Sequence, residues 1–149
     1  MRLKFRGILK QKGIALVLMG LLVAEAPFLS RKIDKETSAA LTHYIMGSLY
    51  SNSGQTDKAI EEFKKALTLD AQSAALHTRL GVEYIKKPHE LDKAVEELQQ
   101  ALKLDPEDVD AHLFLALIYA SKGEDKLSSQ EYELALSGAQ KKAPQNIDI

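Results

Sequence analysis

The chain has 149 residues, room for about one domain, and its 45% apolar and 28% charged content excludes wholesale disorder. A formal net charge of -1 gives no electrostatic reason to bind nucleic acid or a strongly acidic partner. With no cysteine, disulfides, thiolate metal sites, thiol catalysis and a lipid-modified cysteine anchor are all excluded, while the compartment stays open.

The chain begins with a basic segment, residues 1–12, holding Arg2, Lys4, Arg6, Lys10 and Lys12 and no acid. An apolar segment follows over residues 13–30, interrupted by Glu25. Basic-then-apolar order marks a segment that enters a membrane. Two readings of it stand. As a cleaved signal peptide it offers Ala24-Glu25-Ala26 as a small-x-small site, with Pro27 poorly placed just after the cut. As an uncleaved anchor, residues 13–29 form a 17-residue span, near the lower limit for a hydrocarbon core of roughly 30 Å. Glu25 then lies near the far headgroups, and Gly13 and Gly20 permit close contact with another span. We expect the anchor: a transmembrane helix with its N-terminus in the cytoplasm, because the charge before the span outweighs the acid-diluted charge of Arg31, Lys32 and Lys35 after it. In a bacterium this places the rest of the chain in the periplasm, anchored to the inner membrane; if the segment is cleaved, the product is a soluble periplasmic protein.

After a linker at residues 31–39, three units follow at 40–73, 74–108 and 109–142. Gly47 and Gly81 are 34 residues apart, as are Tyr50 and Tyr84, while Tyr84 and Tyr119 are 35 apart. In the second half of each unit Ala59, Ala94 and Ser128 correspond, then Phe63, Leu98 and Tyr132, then Ala66, Ala101 and Ala135, each of the last followed by leucine. The one-residue slip falls in Lys86-Lys87-Pro88-His89-Glu90, where a turn absorbs it without disturbing packed faces. Apolar residues recur at three- and four-residue spacing, as in Leu41-Ile45-Leu49 and Ile60-Phe63-Leu67, which predicts helices. Gly47, Gly81 and Ala116 admit a closely packed partner helix, and Gly54 and Gly123 supply turns. Asp105-Pro106-Glu107-Asp108 ends one helix and caps the next. No segment alternates strictly, so the fold class expected is all-α, with six helices in three hairpins.

These spacings and residue types resemble the tetratricopeptide repeat family, whose unit is a 34-residue helix-turn-helix. The resemblance covers residues 40–142. It is carried by Met46-Gly47, Tyr50, Gly54, Ala59, Phe63 and Ala66, by Leu80-Gly81, Tyr84, Ala94, Leu98, Ala101 and Pro106, and more weakly by Leu115-Ala116, Tyr119, Gly123, Ser128, Tyr132 and Ala135. The tryptophan frequent early in the family's first helix is replaced by His43, His77 and His112. The resemblance implies a solenoid in which stacked hairpins bury what one hairpin alone leaves exposed. The family often adds a final solvating helix. Here the tail, residues 143–149, is too short for one; the last helix, about 125–139, is expected to be polar enough to cap the array itself, the alternative being that a partner covers Leu127, Leu134 and the Ile147–Ile149 tail.

The same resemblance implies a partner groove on the first helices of the hairpins. In this chain it comprises Leu41, Tyr44, Ser48 and Asn52, then Thr78, Arg79 at its edge, Val82 and Lys86, then Asp110, Leu113, Leu117 and Ser121. The mixed surface suits an amphipathic helix or an extended peptide. Chaperone-binding members carry a Lys, Asn and Arg clamp for a carboxylate pair; Tyr44, Ser48, Val82, Asp110 and Phe114 stand at the matching places, which argues against a co-chaperone role. The histidines share one position of the unit, so they stack too far apart to hold a common metal ion and are expected to pack within their own hairpins. Glu61-Glu62 and Glu96-Glu97 read as outward acids balanced by lysines. No phosphate loop, nucleophile elbow or HExxH helix is present. We therefore expect no enzyme, cofactor or metal, no nucleic-acid or small-molecule ligand, and a membrane-tethered adaptor or scaffold for another protein. The alternative is a permanent accessory subunit of a membrane complex.

Overall fold

The computed structural model describes residues 37–142, so the apolar segment at 13–30, its flanking basic residues and the tail at 143–149 lie outside the described residues. The chain divides at Ser38–Ala39 into two units, and the fold is that of the second. No helix among the described residues is long and apolar enough to cross a membrane.

Six helices make up the described fold. Helix α1 runs through residues 37–52. It is followed by α2 (Thr56–Leu69), α3 (Ala74–Ile85), a 3-10 turn at Pro88–Glu90, α4 (Leu91–Leu104), α5 (Val109–Ser121) and α6 (Asp125–Lys142). Helices α3 and α4 pack together as a hairpin, as do α5 and α6, while α2 packs on α3 and α4 on α5. The result is an all-α solenoid.

Each second helix buries one stripe. In α2 it is Ala59, Ile60, Phe63 and Ala66, and in α4 it is Ala94, Leu98 and Ala101. The three- and four-residue steps put these side chains on one face. They join Leu76, Leu80, Tyr84, Ala111, Leu115 and Ile118 of the first helices in a single core. Close approach within hairpins depends on missing side chains. A Cβ on Gly47 would stand 2.7 Å from Phe63 Cε1, and one on Gly81 would stand 2.8 Å from Leu98 Cγ. The alanines of the second helices are just as deeply buried: Ala59, Ala66, Ala94 and Ala101 are fully inaccessible.

Two turns share one local solution. Gly54 and Gly123 have φ of 74° and 73°, a conformation that costs an L side chain roughly 1–2 kcal/mol. In both, the next residue's N–H reaches back to the tyrosine carbonyl five residues earlier: Gln55 to Tyr50 and Glu124 to Tyr119, each at 2.9 Å. This is the Schellman closure of a helix C-terminus. The middle hairpin has no glycine there. Its helix α3 ends through Lys86 and Lys87 N–H groups bonded to Glu83 and Tyr84 carbonyls, and the 3-10 turn accommodates the extra residue. Between hairpins, Asp108 caps α5 by accepting a 3.1 Å hydrogen bond from the Ala111 N–H.

The last helix does not cap the array by its polarity, contrary to the sequence expectation. Leu127, Tyr132, Leu134 and Leu136 are all exposed on α6. Its serines, glutamines and glutamates outnumber these residues but do not cover them, because composition says nothing about which face a residue occupies.

Candidate functional site

The face presented by α1, α3 and α5 holds two clefts. The first, about 330 Å³, is lined by Tyr44, Ser48, Ser51, Asn52, Phe63 and Arg79. Helix periodicity explains the assembly: residues 44, 48, 51 and 52 of α1 fall on one side of their helix, and Arg79 arrives from the next hairpin. The floor is Phe63, whose ring centroid lies 6.1 Å from that of Tyr44. Ser48 is half committed, since its Oγ donates to the Tyr44 carbonyl at 2.9 Å. Arg79 is exposed and has no ion pair among the described residues. A guanidinium beside a phenol, a serine and an asparagine amide presents donors for a carboxylate or a peptide carbonyl.

Lys86, by contrast, is occupied. Its Nζ donates to Glu83 Oε1 at 2.7 Å and to Ser51 Oγ at 3.0 Å, and Ser51 Oγ donates to the same carboxylate oxygen at 2.5 Å. Glu83 is buried between the first two hairpins, where the third has Ile118, and its Oε2 has no hydrogen-bond partner. The ion pair therefore fixes the wall of the first cleft and holds Lys86 back from a ligand.

The second cleft, about 320 Å³, is apolar. Ile85, Pro88, Leu91, Phe114, Leu117, Ile118 and Ser121 line it. The insertion at residues 86–90 creates it: the 3-10 turn brings Pro88 and Leu91 opposite the α5 side chains. Leu117 is among the most exposed large apolar residues described. Ser121 turns its hydroxyl onto the Ile118 carbonyl at 2.7 Å.

Of the twelve residues singled out from the sequence, the first cleft gathers Tyr44, Ser48, Asn52 and Arg79, and the second gathers Leu117 and Ser121. Leu41, Asp110 and Leu113 are exposed and Val82 is half-buried, but none lines either cleft. Thr78 departs from expectation. It is buried, and its Oγ1 donates to Asp108 Oδ2 at 2.7 Å and to the Ala74 carbonyl at 3.2 Å. The hydroxyl thus ties the second hairpin to the cap of the third and is not available to a ligand. Ser51, Ile85, Leu91 and Phe114 were not among the candidate groove residues. The insertion was the available signal for the apolar cleft.

The histidines pair within their hairpins. His43 Nδ1 lies 2.7 Å from Glu62 Oε2, His77 Nδ1 2.7 Å from Glu97 Oε2, and His112 Nδ1 2.6 Å from Glu131 Oε2. His112 Nε2 also meets the Pro106 carbonyl at 3.2 Å. Glu62 and Glu97 are therefore not simply outward acids: each turns one oxygen inward onto a first-helix imidazole. The bond to His43 is the main reason the Glu62 carboxyl is held below its ordinary value, helped by the bond to Lys65. Among the described residues no three His, Asp or Glu side chains are grouped to hold a metal ion.

Residues 40–73 match the family description Tetratricopeptide repeat, and residues 90–123 match TPR repeat. The second match covers α4 and α5, half a unit out of phase with the hairpins, as a continuous solenoid permits. Tetratricopeptide repeats are thus present in the chain. Comparison with curated proteins finds no match. Among solved structures, the chain is similar to the crystal structure of MamA at 27% identity and a TM-score of 0.66, over 71% of this chain and 61% of that one. It spans about three fifths of that protein's length. The second TPR of Spaghetti (RPAP3), bound to an HSP90 peptide, superimposes with a TM-score of 0.67 at 20% identity, over 72% of this chain and 97% of that one. The Arabidopsis OM64 TPR domain gives 0.68 at 17%, over 71% and 87%. These last two likenesses concern the fold alone.

Proposed function

We propose that this array of tetratricopeptide repeats is an adaptor that holds a segment of another protein along α1, α3 and α5, and that residues 13–30 tether it to a membrane with the repeats on the extracytoplasmic side. One observation carries the binding reading: successive first helices present a donor-rich cleft around an arginine without a carboxylate partner among the described residues, then an apolar cleft beside Leu117. That order fits a peptide or helix with an acidic or carbonyl-rich stretch followed by apolar anchors. The RPAP3 repeat domain, whose fold this chain shares, holds an HSP90 peptide, which supports a protein as the class of partner. The tether rests on the charge and apolarity of the first thirty residues.

Purification of the full chain from native membranes through a C-terminal tag, in mild detergent, tests both parts. Intact mass including residues 1–12 supports the tether; a product that has lost residues 1–26 overturns it. Companion proteins that copurify with the native chain and are lost from Arg79→Glu and Leu117→Lys support the groove. Companions retained by both variants overturn it. A discrete complex of fixed stoichiometry would turn the reading toward a permanent subunit.

A further inference from the structure

Both ends of the described array are open, and the two open faces are the halves of a junction the chain already makes twice. Inside the array, the second helix of one hairpin is covered by the first helix of the next. Phe63 of α2 and Leu98 of α4 pack on their own hairpins beside Gly47 and Gly81 and, with the next first helix packed on α2 and α4, are 1% and 0% exposed. The residue at their position in the third hairpin is Tyr132, which is 60% exposed. Leu67 and Leu102 are packed against the core, whereas their counterpart Leu136 is 52% exposed. The other half shows the same contrast. Leu80 and Leu115 are each 1% exposed, but Met46 in the first hairpin is 38% exposed. Ile118 is buried, as is Glu83, but their counterpart Leu49 is 57% exposed.

An apolar face that repeats the chemistry and register of a buried internal face has its complement defined in advance. For Tyr132 and Leu136 that complement is a first helix with large apolar residues at the positions of Leu80 and Glu83 or Ile118. Met46 and Leu49 of α1 supply it. One molecule cannot bring its own α1 to its own α6 while α2–α5 lie between them. We propose that a second copy of this chain is the occupant: α1 of one molecule docks on α6 of another, continuing the solenoid head to tail. Two different patches meet in such a contact, so it does not close on itself as a two-fold dimer. It propagates into chains or rings. This inference is independent of what the clefts bind.

The test is sedimentation of the full 149-residue chain in mild non-ionic detergent over a concentration series, with Leu49→Glu and Tyr132→Glu alongside. The native chain is expected to grow with concentration past the dimer. Each variant alone is expected to weaken association by ~30-fold or more, the loss typical of a central interface residue. Their equimolar mixture should stop at a dimer, because each variant retains the face the other has lost. Met46→Lys and Leu136→Lys repeat the test on the same two faces if either glutamate variant misfolds. As a second readout, the double variant Leu49→Cys/Tyr132→Cys, in a chain with no native cysteine, should oxidise to a ladder of sizes. A native chain that stays monomeric overturns the proposal and leaves the faces to flanking segments or another protein. Association unchanged in both variants overturns it in favour of the apolar segment. Loss in one variant only, with no dimer on mixing, overturns it in favour of a two-fold contact.

Discussion

His77 of α3 and Glu97 of α4 stand 2.7 Å apart, Nδ1 to Oε2, and the same imidazole–carboxylate bridge recurs at His43–Glu62 and His112–Glu131. A first-helix position at which tetratricopeptide repeats often carry a large ring is thus filled by a smaller ring clamped through its polar edge. An ionised carboxylate only accepts, so Nδ1 must carry the proton in each bridge. Neither partner is fully exposed, and the bond is charge-assisted.

The bridge has a pH signature. Glu62 is held below its ordinary value of 4.5, first by the His43 bond and then by Lys65. A depressed folded-state value means the ionised form stabilises the fold. That contribution is fully present above about pH 4.5 and is lost as pH falls through the folded-state value. Carbon-detected NMR titration is expected to place the Glu62 midpoint below 4.5, and His43→Leu should move it up. A midpoint that ignores His43 would leave the bridge without energetic weight.

Thr78 and Asp108 make a second junction, this one between hairpins. The hydroxyl donates to Oδ2 while Oδ1 accepts from the Ala111 N–H. Thr78→Val removes a buried bond and is expected to cost about 1 kcal/mol. Asp108→Ala removes the cap as well, for about 1–2 kcal/mol. Because both act through one carboxylate, the double variant should cost less than the sum. Urea unfolding of the four chains measures the coupling. Partner binding should be unchanged in Thr78→Val, since the side chain faces the neighbouring hairpin; a loss of binding at unchanged stability would return it to the groove.

The sequence reading reached the fold because the repeat writes its packing rule three times. Small residues recur at 47, 81 and 116; the first two face Phe63 and Leu98, and the third meets the Ser128 hydroxyl, as helices in close contact require. Glycines 54 and 123 marked turns whose positive φ the structure contains. What escaped were pairings between elements. Glu62 looked satisfied by Lys65 at helical spacing, and it does pair with it, yet its second oxygen serves His43. The recurrence of Glu62, Glu97 and Glu131 in step with the three histidines was the signal available. Thr78 was assigned by position in the unit, which fixes a direction but not what the next hairpin places in front of it. The groove's apolar cleft came from a turn insertion whose shape no spacing specifies.

Gly81 shows how tightly the hairpins close. A Cβ there would meet Leu98 Cγ at 2.8 Å and the Ala94 carbonyl at 3.3 Å. The branch carbon of a fully buried leucine and a helix carbonyl have little freedom to retreat. Alanine improves helix propensity by roughly 1 kcal/mol, but overpacking costs about 1–3 kcal/mol. Gly81→Ala is therefore expected to lower stability by up to ~2 kcal/mol, read as a fall in the urea midpoint at constant slope. Adding Leu98→Val should recover part of the loss. Stability that rises in Gly81→Ala would show that the hairpin yields.

Leu115 and Leu117 separate folding from binding within one helix. They lie two residues apart on α5, so they face different sides of it. Leu115 is 1% exposed and Leu117 is 64% exposed. Leu115→Ala opens a cavity in the core and is expected to cost about 2–5 kcal/mol, lowering the melting temperature and, at temperatures where the fold survives, leaving the apolar cleft chemically intact. Leu117→Lys removes little buried area and should leave the melting temperature within error, because exposed substitutions usually fall within ~0.5 kcal/mol. It places an ammonium at the mouth of a cleft otherwise lined by Ile85, Pro88, Leu91 and Phe114. An apolar anchor entering there would have to strip water from that charge without a counter-ion, so affinity for the partner should fall at unchanged stability. The two variants, compared by thermal unfolding and by retention of the copurifying protein, should therefore fail in opposite assays. A Leu117→Lys chain that melts normally and keeps its partner would exclude the apolar cleft from recognition and confine the interface to the Arg79 side.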